Sequence, residues 1–359
     1  MDGIDAVLVV CEDQKIYLEQ SYCHAYSATL KAELAALCKP GENELHRSMI
    51  ADRLCAAAFG AATTHLLELS NKKPHEITAI GSHGQTIRHL PPSNSVNSNN
   101  AYSLQIGDPN TIAALTGIMT VADFRRKDIA LGGQAAPLVP AFHRAIFSGK
   151  SPRAVINIGG ISNITYLGTD GTTLGFDCGP GNNLMDRWIE HHQQKKYDQD
   201  GNWANSGTSN SELLNALLKH PYLQLKPPKS LDREEFSLNW LNAQLNDKFS
   251  SMAAADVQAT LINFTTATIA QGLQQLPTTV NEVFICGGGA FNKTLMRALE
   301  NYLHPAIVAS TAQLGVDPEW VEAMAFAWLA KQTLEKKTGN LASVTGASRE
   351  AILGGIYYP

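Results

Sequence analysis

A carboxylate followed by glycines stands near the middle of the sequence, in the stretch TLGFDCGPGNNLMDRWIEHH. Asp177 ends an apolar run, Gly179-Pro180-Gly181 follows, and a helical pattern then begins. Ligands of α/β sheets bind in crevices at the carboxyl ends of strands, and the positive end of a helix favours the ionised carboxylate that accepts a proton. Short polar side chains are also favoured as helix caps for structural reasons alone. Locally, the sequence leaves both interpretations of Asp177 open, a general base and a cap.

Two glycine turns have the form of phosphate-binding turns. In AVINIGGISNITYL, Gly159-Gly160 joins two apolar runs, which predicts a hairpin turn in which both positions can take a positive φ. In EVFICGGGAFNKTLMRAL, a predicted strand enters Gly287-Gly288-Gly289 and a helix follows. Backbone N–H groups in such turns can approach an anion, although each turn also has a purely structural interpretation. Asn292 stands where GxGxxG needs its third glycine, and GxxxxGK[ST] is absent, so Rossmann dehydrogenases and P-loop enzymes lose support.

Further polar side chains follow short apolar runs, as ligand contacts at strand ends do. Beside Asp123, Arg125 and Arg126 offer guanidinium groups that suit a carboxylate or phosphate, although the run Arg125-Arg126-Lys127 is also typical of a solvated surface. A lone histidine is more often structural than catalytic, and acidic side chains are favoured in the first turn of any helix. The candidates of this kind are His83, Gln85, Thr86, Asp108, Arg126 and Glu322.

The elements that must position these side chains alternate between strands and helices. Apolar runs predict strands at residues 4–10, 15–21, 77–80, 102–106, 118–121, 154–158, 163–167, 173–176 and 282–286. Helical spacing predicts a helix or helix pair at 42–69, a short helix after Asp108-Pro109, and helices at 182–194, 256–275, 291–302 and 318–336. Residues 91–101, 198–212 and 226–235 read as polar loops. The alternation favours an α/β architecture with two similar lobes.

The composition excludes several classes of protein. A chain of 359 residues with 44% hydrophobic residues suits about two globular domains with a real core. The net charge of -5 and the lack of a Lys/Arg cluster argue against nucleic acid as a ligand. The six cysteines never occur as CxxC, which is typical of reduced thiols. Neither an apolar stretch of membrane-spanning length nor a signal-peptide pattern occurs, so we expect a cytoplasmic protein without a membrane partner.

Taken together, these segments resemble the anhydro-N-acetylmuramic acid kinase family, a branch of the actin-like ATPase and sugar-kinase superfamily. The resemblance runs along nearly the whole chain, through Asp2-Gly3-Ile4-Asp5-Ala6-Val7, GSHGQT, LQIGD, VADFRRKDIALGGQAAPL, NIGGISN, GFDCGPGN, CGGGAFN and EAMAFAWLA. It implies a two-lobed actin-like (ribonuclease H-like) α/β fold, with mixed sheets flanked by helices and a ligand cleft between the lobes. Residues 1–128 with 343–359 would form the lobe on the sugar side, and residues 129–342 the lobe with the catalytic Asp and the nucleotide.

The resemblance also implies roles for individual residues. Asp177 would be the base that activates water for attack on the anomeric carbon of 1,6-anhydro-N-acetylmuramic acid, after which the freed O6 accepts the γ-phosphoryl group of ATP. The product would be N-acetylmuramic acid 6-phosphate, with Mg²⁺ as the accompanying ion and its ligands unassigned. The substrate contacts would be His83, Gln85, Thr86, Asp108, Arg126 and Glu322, and the nucleotide contacts Asp2, Gly3, Gly159, Gly160, Gly287, Gly288, Gly289 and Asn292.

One departure from the family pattern bears on activity. The family has a Met-Ser-Gly-Thr-Ser segment, its first phosphate turn, before Met-Asp-Gly, whereas this sequence starts at Met1-Asp2-Gly3. A chain without that turn is expected to bind ATP weakly and turn over slowly. The alternatives are therefore a catalytically weak or idle actin-like protein that binds a sugar or a partner, and a kinase for an ordinary open sugar. A homodimer is the assembly considered.

Overall fold

The computed structural model describes residues 3–12, 15–95, 97–227, 229–231 and 235–359. In chain order the elements are β1 (Ile4–Glu12), β2 (Lys15–His24), α1 (Ala28–Leu37), α2 (Glu44–Leu69), β3 (Ile80–Gly81), β4 (Gln85–Leu90), β5 (Tyr102–Ile106), α3 (Pro109–Thr116), β6 (Thr120–Ala122), α4 (Arg126–Ala130), α5 (Val139–Phe147), β7 (Arg153–Ile158), β8 (Ile161–Leu167), β9 (Thr173–Pro180), α6 (Asn183–Gln193), α7 (Asn202–Ser206), α8 (Ser211–Leu217), α9 (Leu238–Leu245), α10 (Ala254–Gln274), β10 (Glu282–Cys286), α11 (Lys293–Leu303), β11 (Ile307–Ser310), α12 (Val321–Leu334), α13 (Ala342–Thr345) and β12 (Gly355–Tyr357). Within the described ranges, no helix combines the length and the apolar character needed to cross a membrane.

The chain divides into two compact units. One comprises residues 1–146 and 322–359, and the other residues 147–321. The first unit takes in α12, which the predicted lobe limits had placed in the second lobe. The reason is that Phe326 and Leu329 of α12 pack in one apolar cluster with Val121 and Phe124. The sugar and nucleotide roles of the lobes stay predictions.

The second unit is built on one mixed sheet with the strand order β11-β10-β7-β8-β9. β11, β10 and β7 run parallel, whereas β8 is antiparallel to both β7 and β9. Ile158 pairs with Ser162, and Ile161 pairs with Pro180. The carboxyl ends of β7, β9 and β10 therefore lie at the same edge of the sheet.

Continuous apolar runs form the centre of this sheet. Ala154, Val155, Ile156 and Ile158 of β7 are all fully buried, as expected of a strand covered on both faces. The apolar stripe of α6 is buried as predicted, at Leu184, Met185, Trp188 and Ile189. The buried helix α10 packs against β8, β9 and α6.

The first unit holds three smaller sheets. β1 and β2, near the strands predicted at 4–10 and 15–21, pair antiparallel, with Ile4 opposite His24 and Glu12 opposite Lys15. β4 pairs antiparallel with β5, and β12, β6 and β3 form a third sheet. Residues 44–69 form a single helix, which decides between the one helix and the helix pair that the sequence allowed. α1 was not predicted, although Leu30, Leu34 and Leu37 are buried at helical spacing.

Several predicted bounds were wrong for identifiable reasons. The strand predicted at 77–80 is reduced to the two residues of β3. The polar segment 198–212 is not a plain loop, since the buried carboxylate of Asp198 accepts hydrogen bonds from the amides of Trp203 and Ala204 in α7. β9 does not end at residue 176 but continues to Pro180, so Asp177 lies inside a strand.

The predicted fold class is confirmed in its architecture. The five-stranded sheet is mixed and carries helices such as α6 and α10 against it, and strands alternate with helices along both units. The bounds of β5 and β10 coincide with the predicted ones. The hydrophobic pattern thus predicted the elements on which the candidate site is built.

Candidate active site

The carboxyl-terminal edge of the five-stranded sheet brings Asp177 and both glycine turns together. The Gly159-Gly160 turn links β7 to β8, and Gly287 follows β10 directly. Asp177 pairs with Asn163 in β8, close to a bulge between Ser162 and Asn163. Three segments that are far apart in the sequence thus meet at one edge, where ligands of α/β sheets bind.

The Asp177 carboxylate is held by a neighbouring segment of chain. Its Oδ2 accepts a hydrogen bond from the Leu231 amide at 2.8 Å. Its own backbone amide donates to the Lys229 carbonyl at 3.2 Å, and its backbone carbonyl accepts from the Tyr222 hydroxyl at 2.8 Å. The residue as a whole is half-buried, and these contacts fix its backbone and one of its carboxylate oxygens.

Burial makes this carboxylate unusually basic. Burial raises the pKa of Asp177 to about 6, against smaller lowering effects of the Leu231 amide and the Lys229 charge. A base works best when its pKa lies near the operating pH. At neutral pH, Asp177 is therefore mostly ionised and still able to take up a proton.

The interpretation of Asp177 as a helix cap was wrong. α6 begins at Asn183 with Asn182 at its cap position, and Asp177 lies five residues earlier, inside β9. The helix end was expected to favour ionisation of this carboxylate, but the largest effect on its pKa is burial, which acts in the opposite direction. Continuation of the β9 ladder to Pro180 moves the carboxylate away from the helix start.

The Gly159-Gly160 turn has an open outer face. Neither glycine has a positive φ, contrary to the predicted hairpin geometry, because the turn is shaped by its contacts with the start of α6. The amides of Gly181 and Asn182 donate to the carbonyls of Gly160 and Gly159 at 2.9 and 2.7 Å. A Cβ on Gly160 would meet nothing closer than 3.7 Å, at the Asn183 Cβ. Neither backbone strain nor internal packing requires glycine here, which suits a turn against which a ligand packs closely.

The Gly287–289 turn packs on β7 beside the first turn. Gly287 has a φ of 76°, and a Cβ there would lie 2.3 Å from the Asn157 Oδ1. A Cβ on Gly289 would lie 2.5 Å from the Ile158 Cβ, whereas one on Gly288 would meet only the Asn182 Nδ2, at 3.4 Å. Gly287 and Gly289 are therefore required by the fold, and Gly288 has the most open position of the three.

Asn292 has a structural role that explains the departure from a glycine motif. Its side chain caps α11 by accepting a hydrogen bond from the Leu295 amide at 3.0 Å. The side chain also packs closely against Gly201, just before α7, since a Cβ on Gly201 would lie 2.3 Å from the Asn292 Oδ1. A predicted nucleotide contact through Asn292 stays a prediction.

Sequence reasoning missed five residues of this edge. Asn157 and Asn182 lie between the two glycine turns, and the Asn182 Nδ2 donates to the Ile158 carbonyl at 3.1 Å. Both asparagines stand inside the motifs NIGG and GPGN, so their positions were visible in the sequence. The contacts of Tyr222, Lys229 and Leu231 with Asp177 had no sequence pattern. Lys229 and Leu231 lie in the predicted polar loop 226–235, and Tyr222 precedes that loop.

In the first unit, His83 pairs with a buried arginine. The Arg125 Nε donates to the His83 Nε2 at 2.9 Å, and the Arg125 Nη1 donates to the Ala135 carbonyl. Burial and the Arg125 charge hold the pKa of His83 well below its usual value, so the imidazole is neutral. Glu322 lies near enough to Arg125 to favour its charged form. His83 and Glu322, both predicted, are thus linked through Arg125.

Arg126 is the exposed member of the arginine pair. Its guanidinium is 66% exposed and forms an ion pair with Asp123 at 2.7 Å. Lys127 is also exposed, which agrees with the solvated alternative for part of this charge run. The substrate contact predicted for Arg126 stays a prediction, and Arg125 is the better enclosed guanidinium.

The VADFRRKDIALGGQAAPL segment is organised by a buried carboxylate that the sequence did not single out. Asp128 accepts hydrogen bonds from the Asn340 Nδ2 and the Thr345 Oγ1 at 2.7 Å each. It also accepts from the Ala135 amide at 2.8 Å. These bonds fix the loop whose Ala135 carbonyl then binds Arg125.

The remaining candidates lie on the β4–β5 pair and at the amino terminus. Gln85 pairs with Ile106, two residues before Asp108, and the Thr86 hydroxyl accepts from the Gln105 amide group at 3.0 Å. Asp108 caps α3, accepting from the amides of Asn110 and Thr111 at 3.1 Å each. At the amino terminus, Gly3 precedes β1, and a Cβ on Gly3 would lie 2.8 Å from the Cys23 Sγ. Asp2 lies outside the described residues.

Fold and site together define an α/β protein with a buried carboxylate and two glycine turns at one edge of a mixed sheet. Over residues 1–359 the sequence matches the family model described as anhydro-N-acetylmuramic acid kinase. The chain belongs to this family, and it is a kinase.

Curated relatives and a solved structure extend this comparison. An anhydro-N-acetylmuramic acid kinase of Shewanella pealeana is 48% identical, covering 99% of this chain and 95% of its own length. The protein of that name from Saccharophagus degradans is 48% identical, covering 100% of this chain and 96% of its own length. The Acidaminococcus fermentans (R)-2-hydroxyglutaryl-CoA dehydratase component A overlaps with a TM-score of 0.42 at 12% identity, over 84% of this chain and 85% of its own.

Proposed function

We propose that this kinase opens 1,6-anhydro-N-acetylmuramic acid with water and phosphorylates O6 from ATP, giving N-acetylmuramic acid 6-phosphate and ADP. The observation that carries this proposal is the basic carboxylate of the half-buried Asp177 beside two glycine turns. Kinases of ordinary open sugars need a base only for the acceptor hydroxyl. An anhydro sugar needs one for water, because its O6 is freed only when the bridge opens.

The proposed reaction balances in two coupled bond changes. Asp177 accepts a proton from water while the water oxygen attacks the anomeric carbon, and the bond from that carbon to O6 breaks. O6 leaves with its electron pair and takes the γ-phosphoryl group, so ADP is released. Asp177 then returns its proton to solvent. General base catalysis of this kind contributes typically about 10²–10⁴-fold.

The glycine turns suit the phosphates of ATP. A Cβ on Gly159 or Gly160 would meet its nearest protein atoms only at 3.8 and 3.7 Å, so no crowding of the turn itself stands against a phosphate that packs on this backbone. Phosphoryl transfer depends mainly on positioning and charge neutralisation, and bound Mg²⁺ would supply positive charge at the phosphates. Mg²⁺ commonly binds phosphate oxygens directly and keeps several of its waters, so Asp177 remains free to act as the base.

The first unit would supply the sugar contacts. The neutral imidazole of His83 and the charged Arg125 and Glu322 form a polar group that suits hydroxyls and a lactyl carboxylate. Gln85, Thr86, Asp108 and Arg126 are further proposed contacts. A cytoplasmic role in recycling peptidoglycan fragments, with the chain as a homodimer, completes the proposal.

Incubation with ATP, Mg²⁺ and 1,6-anhydro-N-acetylmuramic acid in H₂¹⁸O tests it. The expected product is N-acetylmuramic acid 6-phosphate that carries ¹⁸O at the anomeric position when it is analysed promptly by mass spectrometry. One ADP should form per product. Asp177→Asn should form neither, while keeping the circular dichroism spectrum of the wild type.

Three results would count against the proposal. Phosphorylation of hexoses with the anhydro sugar left intact would favour a kinase for open sugars. Sugar binding without ADP formation would favour an idle binding protein. A phosphorylated product without ¹⁸O would exclude opening of the bridge by water.

A further inference from the structure

Three described residues between α8 and α9 contact Asp177 of β9, the strand at the edge of the sheet. Tyr222, Lys229 and Leu231 each contact Asp177 through a different atom of that residue, namely its carbonyl oxygen, its amide and Oδ2. β8 holds Asp177 from the other side through the pairing with Asn163. The backbone of Asp177 and one of its carboxylate oxygens are therefore fixed by residues that no glycine motif includes.

Tyr222 contacts both Lys229 and Asp177. The Lys229 Nζ lies 5.1 Å from the centre of the Tyr222 ring, an arrangement in which a cation is attracted to the ring face. The hydroxyl of the same ring donates to the Asp177 carbonyl. Tyr222 is buried, so this bond is shielded from water. One ring thus links the strand that carries the base to the residues that cover it.

We propose that Tyr222 and Lys229 are positioning residues for Asp177, holding the Leu231 amide on Oδ2 so that Oδ1 is the oxygen that takes the proton. In the described part of the chain, Oδ1 accepts no hydrogen bond. A carboxylate with one oxygen bound keeps a fixed rotamer, and a fixed base avoids the loss of rate that follows a misplacement of about 1 Å. This inference rests on the proposed function of Asp177 as the base.

The charges around Asp177 give the inference a second, independent readout. Its titratable neighbours are Lys229, Tyr222 and Cys178, and Glu235 acts on Tyr222. Burial raises the pKa of Tyr222 and of the Cys178 thiol, so neither is charged at neutral pH. Among the described residues, β8 presents the neutral Asn163 opposite Asp177, and α10 presents the neutral Thr268 beside Gly179. Lys229 is thus the cation that lowers the pKa of Asp177.

Two substitutions with matched controls test the inference. Tyr222→Phe removes only the hydroxyl that binds the Asp177 carbonyl, and Tyr166→Phe removes a hydroxyl with an equally short bond, to the Thr278 hydroxyl, elsewhere in the sheet. Lys229→Met removes the charge, and Lys226→Met removes an exposed one nearby. Steady-state kinetics from pH 5 to 9 and hydrogen exchange of the amides of Asp177 and Leu231 are the measurements.

The expected results separate positioning from stability. Tyr222→Phe should lower kcat about 3- to 10-fold, the effect of one hydrogen bond, with KM for ATP unchanged. The Leu231 amide should exchange faster in this variant than in wild type or in Tyr166→Phe. Lys229→Met should move the acid limb of the pH profile to higher pH, because removing a cation raises the pKa of the carboxylate. Lys226→Met should not move it.

Each failure has its own meaning. The inference would be overturned if Tyr222→Phe and Lys229→Met both kept the wild-type kcat, amide exchange and acid limb of the pH profile while Asp177→Asn was inactive. Full activity of Asp177→Asn would instead overturn the proposed function. A loss of kcat in Tyr166→Phe equal to that in Tyr222→Phe would also overturn the inference, because it would show a general effect of sheet stability.

Discussion

Two aspartates, Asp177 and Asp108, stand in similar sequence contexts and have opposite chemical properties in the structure. Each follows an apolar strand and precedes a proline and a helix, in GFDCGPGNN and LQIGDPNT. Burial opposes ionisation of Asp108 too, but hydrogen bonds from the side chains and amides of Thr111 and Asn110 outweigh it and lower its pKa. Asp177 receives one amide hydrogen bond, and burial raises its pKa to about 6.

The difference shows that burial and the number of hydrogen-bond donors together separate a cap from a base. Asp108 is the first residue before α3, where unpaired helix amides need acceptors. Asp177 lies inside β9 and not at the start of a helix, and its carboxylate accepts the amide hydrogen bond of Leu231. A carboxylate that accepts several hydrogen bonds has a lowered pKa, as Asp108 does, whereas a buried carboxylate with one such bond has a raised pKa, as Asp177 does.

The largest expected effect distinguishes the two aspartates by activity. Asp177→Asn should lower kcat by about 10²–10⁴-fold, because the amide cannot accept the proton of the attacking water. Asp108→Asn should leave kcat near wild type and act, if at all, on KM for the sugar. Product formation followed by coupled ADP detection measures both, and equal losses of kcat in the two variants would erase the distinction.

The next effect is a gain in stability. A folded-state pKa raised above the unfolded value means that the native state binds more protons, so the contribution of Asp177 to stability falls as pH rises from about 4 to 6. Asp177→Asn has no buried carboxylate to ionise, so it should be more stable than wild type by roughly 1–3 kcal/mol at pH 8. Urea unfolding at several pH values measures the difference, which should shrink toward pH 4. A variant less stable than wild type at pH 8 would contradict burial as the cause.

For Asp108 the pH dependence of stability has the opposite sign, and the expected change in stability is smaller. Because the folded-state pKa is lowered, its contribution to stability is present above the unfolded pKa and is lost as the pH falls through the folded one. Asp108→Ala should cost about 1 kcal/mol, the usual value of a helix cap. Asp108→Asn should recover most of this, since asparagine also caps. Thermal unfolding at pH 7 provides the comparison, and no loss in Asp108→Ala would remove the structural role.

The smallest effect on stability is expected at the glycine turn. Gly160→Ala should change the free energy of unfolding by less than about 0.5 kcal/mol, because its Cβ would approach no atom closer than 3.7 Å and its φ is not positive. The same substitution should raise KM for ATP if a phosphate packs against this turn. Gly181→Ala is the contrasting variant, since its Cβ would lie 2.3 Å from the Gly159 carbonyl oxygen and should destabilise the fold. An unchanged KM in Gly160→Ala would argue against the phosphate turn.

The sequence predicted the sheet edge better than it predicted the contacts made there. Apolar periodicity located β7, β8, β10 and α6 closely, because these buried elements carry continuous or striped hydrophobic patterns. The end of β9 was placed too early, since Asp177-Cys178-Gly179-Pro180 carries no apolar pattern although it pairs with β8. That one error produced the choice between cap and base.

Long-range contacts were beyond the reach of local patterns. Tyr222 and Leu231 are 45 and 54 residues from Asp177 in the chain, and Thr345 is 217 residues from Asp128. Of the two neighbouring arginines, Arg125 is enclosed by His83 and Ala135 while Arg126 is exposed. Adjacent identical side chains can be distinguished only by the tertiary packing around them.

The most direct test of the account is the ionisation of Asp177 itself. Carbon-13 NMR of protein labelled at the aspartate carboxyl carbons, titrated from pH 3.5 to 8, would follow the resonance that disappears in Asp177→Asn. The account predicts a midpoint near pH 6, well above those of the other aspartates. A midpoint at or below the ordinary value of about 3.9 would contradict it.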